Sequence, residues 1–387
     1  MVVSERRTRV VVVRGHLATP WELRQWVDLP DRFDVSYLSS RSNSFDVGEL
    51  DLRSVPVRTL RDKLPRGRLG DVASGVAGDR YLRLDDVLRD ADVVHAEELS
   101  FWFSASAARA AGRFKLVQTV WETIPFLDAY RNRHARRHRA EVLARTDLFL
   151  PATERARRAL LLEGVPEDRI EVCSPGIDLE RFRAAPHAAP EEHTIVSPGR
   201  LVWEKGHQDV LRAVAALHRG LDGLPQLRPR ALVIGSGPEL GRLTAHAREL
   251  GIGAFTTFRS VPYDEMPAVF AGASCMVLAS LPAAHAMLHL FDPPRAFWEE
   301  QFGLVLAEAM AAELAIVAST SGAIPEVVGG GGRYFAAGNW MALARELADG
   351  PLARPPGQRV AHDPQRLEHF STRAAAARLA AAYDRLV

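Results

Sequence analysis

The chain has 387 residues, of which 47% are hydrophobic and 25% are charged, a composition typical of globular proteins and not of disordered or fibrous chains. This length exceeds one ordinary hydrophobic core, so we expect two domains. The net charge of +1 excludes an overall field suited to nucleic acid or to a strongly acidic partner.

The first predicted element is a strand at 9–13, whose apolar run is too short for a signal peptide or a membrane span. Cys173 and Cys275, the only cysteines, lie in strand-like surroundings without metal-site spacing, so we expect reduced thiols and a cytoplasmic protein. The first half also contains a predicted helix at 153–163. Its further strands are predicted at 92–95, 115–121, 147–152 and 170–175.

The second half of the chain repeats this alternation of apolar strands and amphipathic helices. Such a pattern is typical of parallel sheets that are covered on both faces. The strands are predicted at 193–200, 231–235, 255–260, 275–280 and 315–319. The helices are predicted at 206–219, 238–250, 264–272, 303–312 and 340–348.

The Ala- and Pro-rich stretch 181–193 lacks periodicity and separates the two halves. We therefore expect an α/β protein with Rossmann-like domains at 1–185 and 190–365. The tail, 366–387, has a helix N-cap signal at Ser371 and is expected to pack on the first domain. Ligands of open α/β sheets lie beyond the carboxyl ends of the strands, so two facing domains would form a cleft.

Two cations follow the predicted strand at 193–200. Arg200 and Lys205 flank a loop, and Gly206 opens the next helix. Cations beside a helix N-terminus make an anion site suited to a diphosphate, although an ordinary charged surface loop explains the same residues. Only three of the 49 basic residues are lysines, so a compact ammonium is retained selectively at position 205.

The next predicted strand ends at Gly235-Ser236-Gly237, before a helix. Gly235 is a candidate for close backbone approach to a ligand, but a tight turn explains the pair of glycines equally well. Because Leu240 stands where the dinucleotide fingerprint requires its third glycine, a nicotinamide-dependent dehydrogenase is disfavoured.

Two glutamates, Glu300 and Glu308, bracket the predicted start of a helix in WEEQFGLVLAEAM, residues 298–310. The backbone N–H groups of about 302–305 point out of the helix N-terminus, where they favour an anion. A carboxylate accepts hydrogen bonds from vicinal hydroxyls of a ribose or a sugar. The spacing alone fits ordinary helix glutamates better than a site.

Five segments considered together resemble the carboxyl-terminal domain of the family 4 retaining glycosyltransferases of the GT-B fold. The segment CSPGIDLERF, 173–182, resembles the stretch just before that family's interdomain linker. The resemblance covers about 170–335. The five segments, in family order, are GRLVWEKG (199–206), GSGP (235–238), FRSVPYDEMPAVFAGAS (258–274), EQFGLVLAEAMA (300–311) and STSGAIPEVVG (319–329).

The resemblance implies a role for each matching residue. Arg200 and Lys205 would neutralise the donor diphosphate, Glu300 would contact the transferred sugar, and Glu308 would hold the ribose hydroxyls. It also implies no metal and no cofactor, with a UDP- or GDP-linked sugar as co-substrate and a hydroxyl-bearing small molecule, glycan or glycolipid as acceptor. The remaining donor contacts would be the backbone of Phe302, Gly303, Leu304 and Val305, and Arg259, Ser260 and Val261 around the nucleobase.

The chain departs from the family at three places. Trp121-Glu122 stands where many members carry a histidine, and Arg14-Gly15-His16 stands where many carry paired glycines, so Gly15, His16, Trp121 and Glu122 are candidates near the acceptor. The segment 281–299 is longer than usual. Its residues His285, His289 and Trp298 would line an acceptor pocket or simply pack the loop.

Two other motifs have structural explanations. Asp90-Ala91-Asp92 spells D-x-D, but its place before a strand favours a helix end over a metal site. The basic stretch 131–139 would contact an acceptor phosphate or a membrane surface, but its charges surround the helical wheel and favour a solvated face.

The sequence therefore predicts a retaining, metal-independent glycosyltransferase. One alternative is a noncatalytic homologue that binds a nucleotide sugar or a partner enzyme. A second alternative is a GT-B phosphorylase or epimerase.

Overall fold

The computed structural model describes residues 6–15, 18–40, 43, 47–48, 50–64, 69–70, 80–110, 112–127, 133–183, 185, 190–286 and 295–387. Internal contacts divide the chain into two compact units. Unit 1 comprises Met1–Ile177, Ala286–Arg295 and His369–Val387, and unit 2 comprises Asp178–His285 and Ala296–Glu368.

Unit 1 is built on a six-stranded parallel sheet in the order β3-β2-β1-β4-β5-β6. Val10, Val12, Val93 and Leu116 are fully buried, as expected of strands covered on both faces. The strands are β1 (Thr8–Val12), β2 (Phe33–Ser39), β3 (Arg53–Pro56), β4 (Val93–Glu97), β5 (Lys115–Val120) and β6 (Leu148–Pro151). The helices are α1 (Pro20–Val27), α2 (Leu84–Leu88), α3 (Trp102–Arg109), α4 (Arg133–Arg145) and α5 (Glu154–Leu162).

Unit 2 contains a second six-stranded parallel sheet, in the order β14-β13-β10-β7-β8-β9. A separate pair of short strands, β11 and β12, crosses the unit boundaries at Ala286 and Arg295. The strands are β7 (Thr194–Pro198), β8 (Arg230–Ile234), β9 (Thr256–Arg259), β10 (Cys275–Leu278), β11 (Ala283–Ala286), β12 (Arg295–Trp298), β13 (Ala315–Ser319) and β14 (Arg333–Phe335). The helices are α6 (Leu179–Arg183), α7 (His207–Arg219), α8 (Leu240–Glu249), α9 (Met266–Ala271), α10 (Leu304–Ala311), α11 (Ile324–Val328), α12 (Trp340–Ala348) and α13 (Pro364–His369).

The last helix, α14 (Thr372–Asp384), is capped by Ser371 as predicted and closes the core of unit 1. The Tyr383 hydroxyl accepts a hydrogen bond from Trp26 Nε1 (2.9 Å) and lies 2.6 Å from His95 Nδ1. The other ring nitrogen, His95 Nε2, lies 2.7 Å from Thr119 Oγ1. Burial lowers the pKa of His95 to about 3, so this chain of hydrogen bonds is neutral.

Both sheets have the strand order of Rossmann-like domains, and the predicted α/β class with two parallel sheets is confirmed. The order reverses between β1 and β4 in unit 1, and between β7 and β10 in unit 2. Ligands of such sheets bind at this switch point, beyond the carboxyl ends of the strands.

The predicted strand at 170–175 is wrong. This segment runs beside β6 with only two backbone hydrogen bonds, from Glu171 N to Phe149 O (3.0 Å) and from Cys173 N to Pro151 O (2.9 Å). Five strands of the structure were not predicted: β2, whose polar and apolar residues alternate, β3, which has four residues, lies at a sheet edge and ends in proline, and the short strands β11, β12 and β14. Both cysteines are buried free thiols, as expected.

Candidate functional site

The candidate site of unit 2 lies at the switch point of its sheet. The loop after β7 carries Lys205, and the loop after β10 carries Ser280. Lys205 Nζ donates to Glu300 Oε2 at 2.7 Å, although the two residues are 95 positions apart. The side chains of Lys205 and Glu300 are 14% and 7% exposed, so the ion pair is largely shielded from water.

The ammonium of Lys205 has a second neighbour. Its nitrogen lies 4.7 Å from the centroid of the Trp298 ring, within cation–π range. Trp298 is half-buried and ends β12, two residues before Glu300. The carboxylate and the indole ring together fix the cation at one place on the edge of the sheet.

The backbone of Glu300 packs against the loop after β13 and accepts a hydrogen bond from it. Ala323 N donates to Glu300 O at 2.8 Å. Gly322 has φ +56°, and a Cβ at this position would lie 2.0 Å from Glu300 O, so only glycine permits this approach. Two neighbouring loops of one rigid sheet thus define the position of Glu300.

Helix α10 begins immediately beyond Glu300. Gly303, with φ +78°, precedes the first helical residue, Leu304. Phe302 is buried beneath the turn, whereas Leu304 and Val305 are partly exposed. The first N–H groups of the helix lack intrahelical partners, so this end of α10 favours an anion.

Glu308 lies in the second turn of α10 and is 7% exposed. The Tyr263 hydroxyl donates to Glu308 Oε1 at 2.8 Å. Burial raises the pKa of Glu308 to about 7, and both the Tyr263 hydrogen bond and the charge of Arg181 oppose this shift. The Arg181 guanidinium lies over the Tyr263 ring, 5.4 Å from its centroid.

Arg200 does not join the Lys205–Glu300 pair in this structure. Its side chain is 68% exposed, and Glu204 is its nearest ionic partner, at 4.0 Å. His207 supports the backbone of this loop: His207 Nδ1 lies 2.9 Å from Ser197 Oγ, and Nε2 lies 3.2 Å from Arg200 O. Burial lowers the pKa of His207 to about 4, so His207 contributes hydrogen bonds and no charge.

The next two strands carry other predicted donor residues. A Cβ on Gly235 would lie 1.9 Å from Gly199 O, so the backbones of the turns after β7 and β8 are in direct contact at Gly235. Gly235 N donates to Arg259 O at 2.9 Å. Arg259 and Ser260 are exposed and Val261 is half-buried, at the carboxyl end of β9. These residues therefore share the sheet edge that carries Lys205.

The switch point of unit 1 carries a buried ionic cluster of its own. Arg14, directly after β1, pairs with Glu22 (2.6 Å) and with Glu97 at the end of β4. Burial raises the pKa of Glu97 despite the opposing charge of Arg14. Arg14 is thus neutralised by this chain's own acids.

The predicted acceptor residues of unit 1 lie near the same edge. Gly15 N donates to Tyr81 Oη at 2.9 Å. Trp121, directly after β5, is half-buried, and its backbone N–H donates to Glu98 Oε1 at 2.9 Å. Glu122 is 8% exposed. His16 lies outside the described residues.

The other motifs have these positions. Asp92 pairs with Arg6 and accepts from Arg9 N just before β4, at the amino end of that strand. Residues 133–139 of the basic stretch belong to α4, while 131–132 lie outside the described residues. Of the loop 281–299, Trp298 is described, but the side chain of His285 and all of His289 are not.

Two features are absent from the described part of the chain. No three His, Cys, Asp or Glu side chains there are grouped so that they could hold a metal ion. In the same part of the chain, no helix is both long and apolar enough to cross a membrane.

Sequence reasoning missed four parts of these sites: Ser280, Tyr263, His207 and the pairing of Arg14 with Glu97. Ser280 and His207 could have been suspected, because both follow predicted strands at their carboxyl ends. The contacts of Tyr263 and Arg14 join residues far apart in the sequence, so they require the folded structure.

Two family models match the chain. The model described as Glycosyltransferase Family 4 matches residues 23–181, and the model described as Glycosyl transferases group 1 matches residues 178–350.

Named relatives are similar to parts of the chain. A GDP-mannose-dependent alpha-(1-6)-phosphatidylinositol monomannoside mannosyltransferase of Mycobacterium tuberculosis is 30% identical over 178 residues, which cover 42% of this chain and 41% of that protein. A D-inositol 3-phosphate glycosyltransferase of Corynebacterium jeikeium is 29% identical over 271 residues, which cover 64% of this chain and 59% of that protein. The matched regions thus span about half the length of these relatives.

Solved structures share the fold over almost the whole chain. Anabaena Alr3699/HepE in complex with UDP and glucose has a TM-score of 0.70 at 16% identity, covering 98% of this chain and 100% of that one. Sucrose-phosphate synthase from Thermosynechococcus elongatus has a TM-score of 0.66 at 18% identity, covering 98% and 99%.

Proposed function

The chain belongs to the family 4 glycosyltransferases and has their two-domain, Rossmann-like GT-B fold, and we propose that it transfers a sugar from a nucleoside diphosphate sugar to a hydroxyl acceptor. The observation that carries this proposal is the shielded Lys205–Glu300 pair at the switch point of unit 2. The bond to be broken joins a diphosphate to a sugar. The cation of this pair suits the diphosphate, and the carboxylate suits the hydroxyls of the sugar.

The diphosphate would lie between Lys205 and the start of α10. Lys205 supplies a full positive charge, the N–H groups at Leu304 and Val305 supply partial charges, and Arg200 is exposed and free to move toward an anion. These groups stabilise the negative charge that develops on the leaving phosphate, which is the largest electrostatic demand of the reaction.

The two glutamates would hold the two sugars of the donor. Glu300, beside the diphosphate position, would accept a hydroxyl of the transferred sugar. Glu308, one turn inside α10, would accept the ribose hydroxyls, and Arg259, Ser260 and Val261 would lie along the nucleobase. Either UDP or GDP fits this arrangement.

We propose retention of configuration, through a same-face substitution. The acceptor oxygen bonds to the anomeric carbon on the face from which the diphosphate oxygen leaves, and the leaving phosphate takes the acceptor's proton. Such a step requires charge stabilisation and positioning, which Lys205 and Glu300 supply, and no separate protein base. It also requires no metal, because Lys205 and Arg200 take the place of a divalent cation.

The acceptor is a hydroxyl of a small molecule, a glycan or a glycolipid. The relatives' names include an inositol phosphate and a phosphatidylinositol mannoside as substrates of those proteins. Acceptor contacts in unit 1 would come from Gly15, Trp121 and Glu122. A cytoplasmic location stays a prediction, and contact of the basic stretch 131–139 with a membrane surface stays the less favoured alternative to a solvated face.

The experiment is a donor panel followed by product analysis. Thermal shift with UDP, GDP and their common sugar conjugates identifies the donor. The anomeric proton of the product, observed by NMR with an acceptor panel, then reports the configuration. We expect the donor's anomeric configuration in the product. An inverted product would overturn the proposed mechanism, and a failure of every nucleotide sugar to bind or react would overturn the proposed function.

A further inference from the structure

Ser280 is a fully buried serine two residues beyond β10. Its hydroxyl donates to Glu300 Oε2 at 2.6 Å, the same oxygen that accepts from Lys205. Within the described part of the chain, no donor to the other oxygen, Glu300 Oε1, is found. One carboxylate oxygen is therefore held twice by the protein, while the other is available to a ligand hydroxyl.

Lys205 already pairs with Glu300 Oε2 and compensates the charge of the carboxylate. The hydrogen bond from Ser280 to the same oxygen is not needed for that purpose. The two donors differ in how firmly they are placed. Lys205 has a four-carbon stem and a charge that a diphosphate would attract. Ser280 has a single rotatable bond and no charge, and its backbone carbonyl accepts a hydrogen bond from Ser319 Oγ at 2.6 Å.

Ser319 and Ser280 extend adjacent parallel strands, since Leu278 pairs with Ala318 in the sheet. Ser280 is thus fixed by the sheet itself, whereas the position of Lys205 depends on its ionic partners. When the diphosphate shares the ammonium, the bond from Lys205 to Glu300 weakens and the bond from Ser280 does not.

Resting on the proposed function, we infer that Ser280 is a positioning residue for the transfer step. It keeps Glu300 Oε2 in place while Lys205 engages the diphosphate, so that Oε1 stays directed at the hydroxyl of the transferred sugar. A displacement of a reacting or positioning group by about 1 Å costs up to about a hundredfold in rate.

The alternative is that Ser280 only stabilises the loop after β10. A second buried serine, at the other end of β10, provides a matched control. Ser274 directly precedes β10 and is also buried, at 3% exposure. Its hydroxyl accepts from Thr194 N and Gly357 N, both at 3.2 Å, at the opposite end of the strand from Glu300. Ser274→Ala and Ser280→Ala therefore remove similar buried hydroxyls from the two ends of one strand.

The test uses the full-length protein and whichever of UDP-glucose and GDP-mannose the wild type turns over, or the donor that a wider panel identifies. We expect Ser280→Ala to lower kcat by about 10- to 100-fold, with KM for the donor and Kd for the free nucleotide changed by less than about threefold. Ser274→Ala should retain wild-type kcat at a similar loss of thermal stability. Ser280→Thr, which keeps the hydroxyl, should recover most of the turnover.

A double-mutant cycle separates positioning from a general structural effect. In a Glu300→Gln background, Ser280→Ala should lower kcat by less than about twofold, because the group it positions is already altered. A wild-type kcat in Ser280→Ala, or an undiminished loss in the Glu300→Gln background, would overturn the positioning role while leaving the transferase activity intact. Absence of turnover in the wild type with every donor would instead overturn the proposed function.

Discussion

At the scale of single residues, Glu308 is a buried acid whose ionisation is opposed by its surroundings. Burial raises its pKa to about 7, above the ordinary glutamate value, although the Tyr263 hydrogen bond and the charge of Arg181 act in the other direction. The folded state thus binds more protons than the unfolded state between pH 4.5 and 7, and stability contributed by Glu308 falls as pH rises through this window.

We predict that Glu308→Gln raises the free energy of unfolding at pH 8 by a few kcal/mol, on the order of 3, and changes it little near pH 4.5. The same substitution should weaken binding of the free nucleotide, since an amide oxygen replaces a charged acceptor for the ribose hydroxyls. Urea unfolding and calorimetric titration with UDP and GDP at pH 6 and pH 8 measure the two effects.

The pH dependence of nucleotide binding by the wild-type protein provides a second test of Glu308. The wild-type nucleotide affinity should fall as pH drops below about 7 and Glu308 becomes protonated, whereas the Gln variant should show a flatter profile. Equal stability of both proteins at every pH would contradict the buried charge. An unchanged affinity in the variant would contradict the ribose contact.

At the scale of elements, the strands that carry the candidate donor site were predictable because their apolar runs are nearly continuous. The strand at 315–319 and the helix at 303–312 correspond to β13 and α10. Helix α1 was not predicted, although Thr19 and Pro20 form an N-terminal signal, with Thr19 Oγ1 accepting from Glu22 N. The basic stretch 131–139, which overlaps α4, was considered as a helix with a solvated face because its charges leave no wide apolar face, but the helix was not predicted beyond residue 139.

The candidate site was predictable at the level of residue types and not of contacts. Lys205 and Glu300 were singled out by motif, but their direct pairing depends on how two loops 95 positions apart meet at one sheet edge. Ser280 could have been suspected from its place at the carboxyl end of a predicted strand, but its hydrogen bond to Glu300 could not be predicted, for the same reason. The pKa of Glu308 also depends on packing that periodicity does not report.

The loop after β13 provides a prediction at this scale. Gly322→Ala should lower the free energy of unfolding by at least about 2 kcal/mol, because the new Cβ would overlap the backbone of Glu300 and the residue would keep a left-handed conformation. Urea unfolding measures the loss.

Gly241→Ala is the control for that substitution. Gly241 lies in the first turn of α8, and a Cβ there meets nothing within 4 Å. This change should stabilise the protein by about 0.5–1 kcal/mol. Equal effects at both glycines would show that the close approach of Gly322 to Glu300 does not constrain the loop.

At the scale of the whole molecule, two sheets of the same strand order each carry charged residues at their switch points. Lys205 pairs with Glu300 in unit 2, and Arg14 pairs with Glu22 and Glu97 in unit 1. We propose unit 2 for the diphosphate because the loop of Lys205 also carries the exposed Arg200, and Glu300 is followed by the N-terminus of α10.

A chelator tests whether these cations replace a metal. We expect donor turnover to keep its rate in excess EDTA, and added Mg²⁺ or Mn²⁺ to change it by less than about twofold, since Lys205 and Arg200 carry the charge stabilisation. Loss of turnover in EDTA with recovery on adding either metal would contradict metal independence.

The most direct test of the account is the rate of nucleoside diphosphate release from the preferred donor by the wild type, Lys205→Ala and Lys115→Ala. Lys115 is a control from the same small set of lysines, 44% exposed and paired with Asp147 in unit 1. We predict that Lys205→Ala loses at least about a hundredfold in turnover, the scale of a lost transition-state stabiliser, while Lys115→Ala keeps the wild-type rate. Near-normal turnover in Lys205→Ala would contradict the placement of the active site.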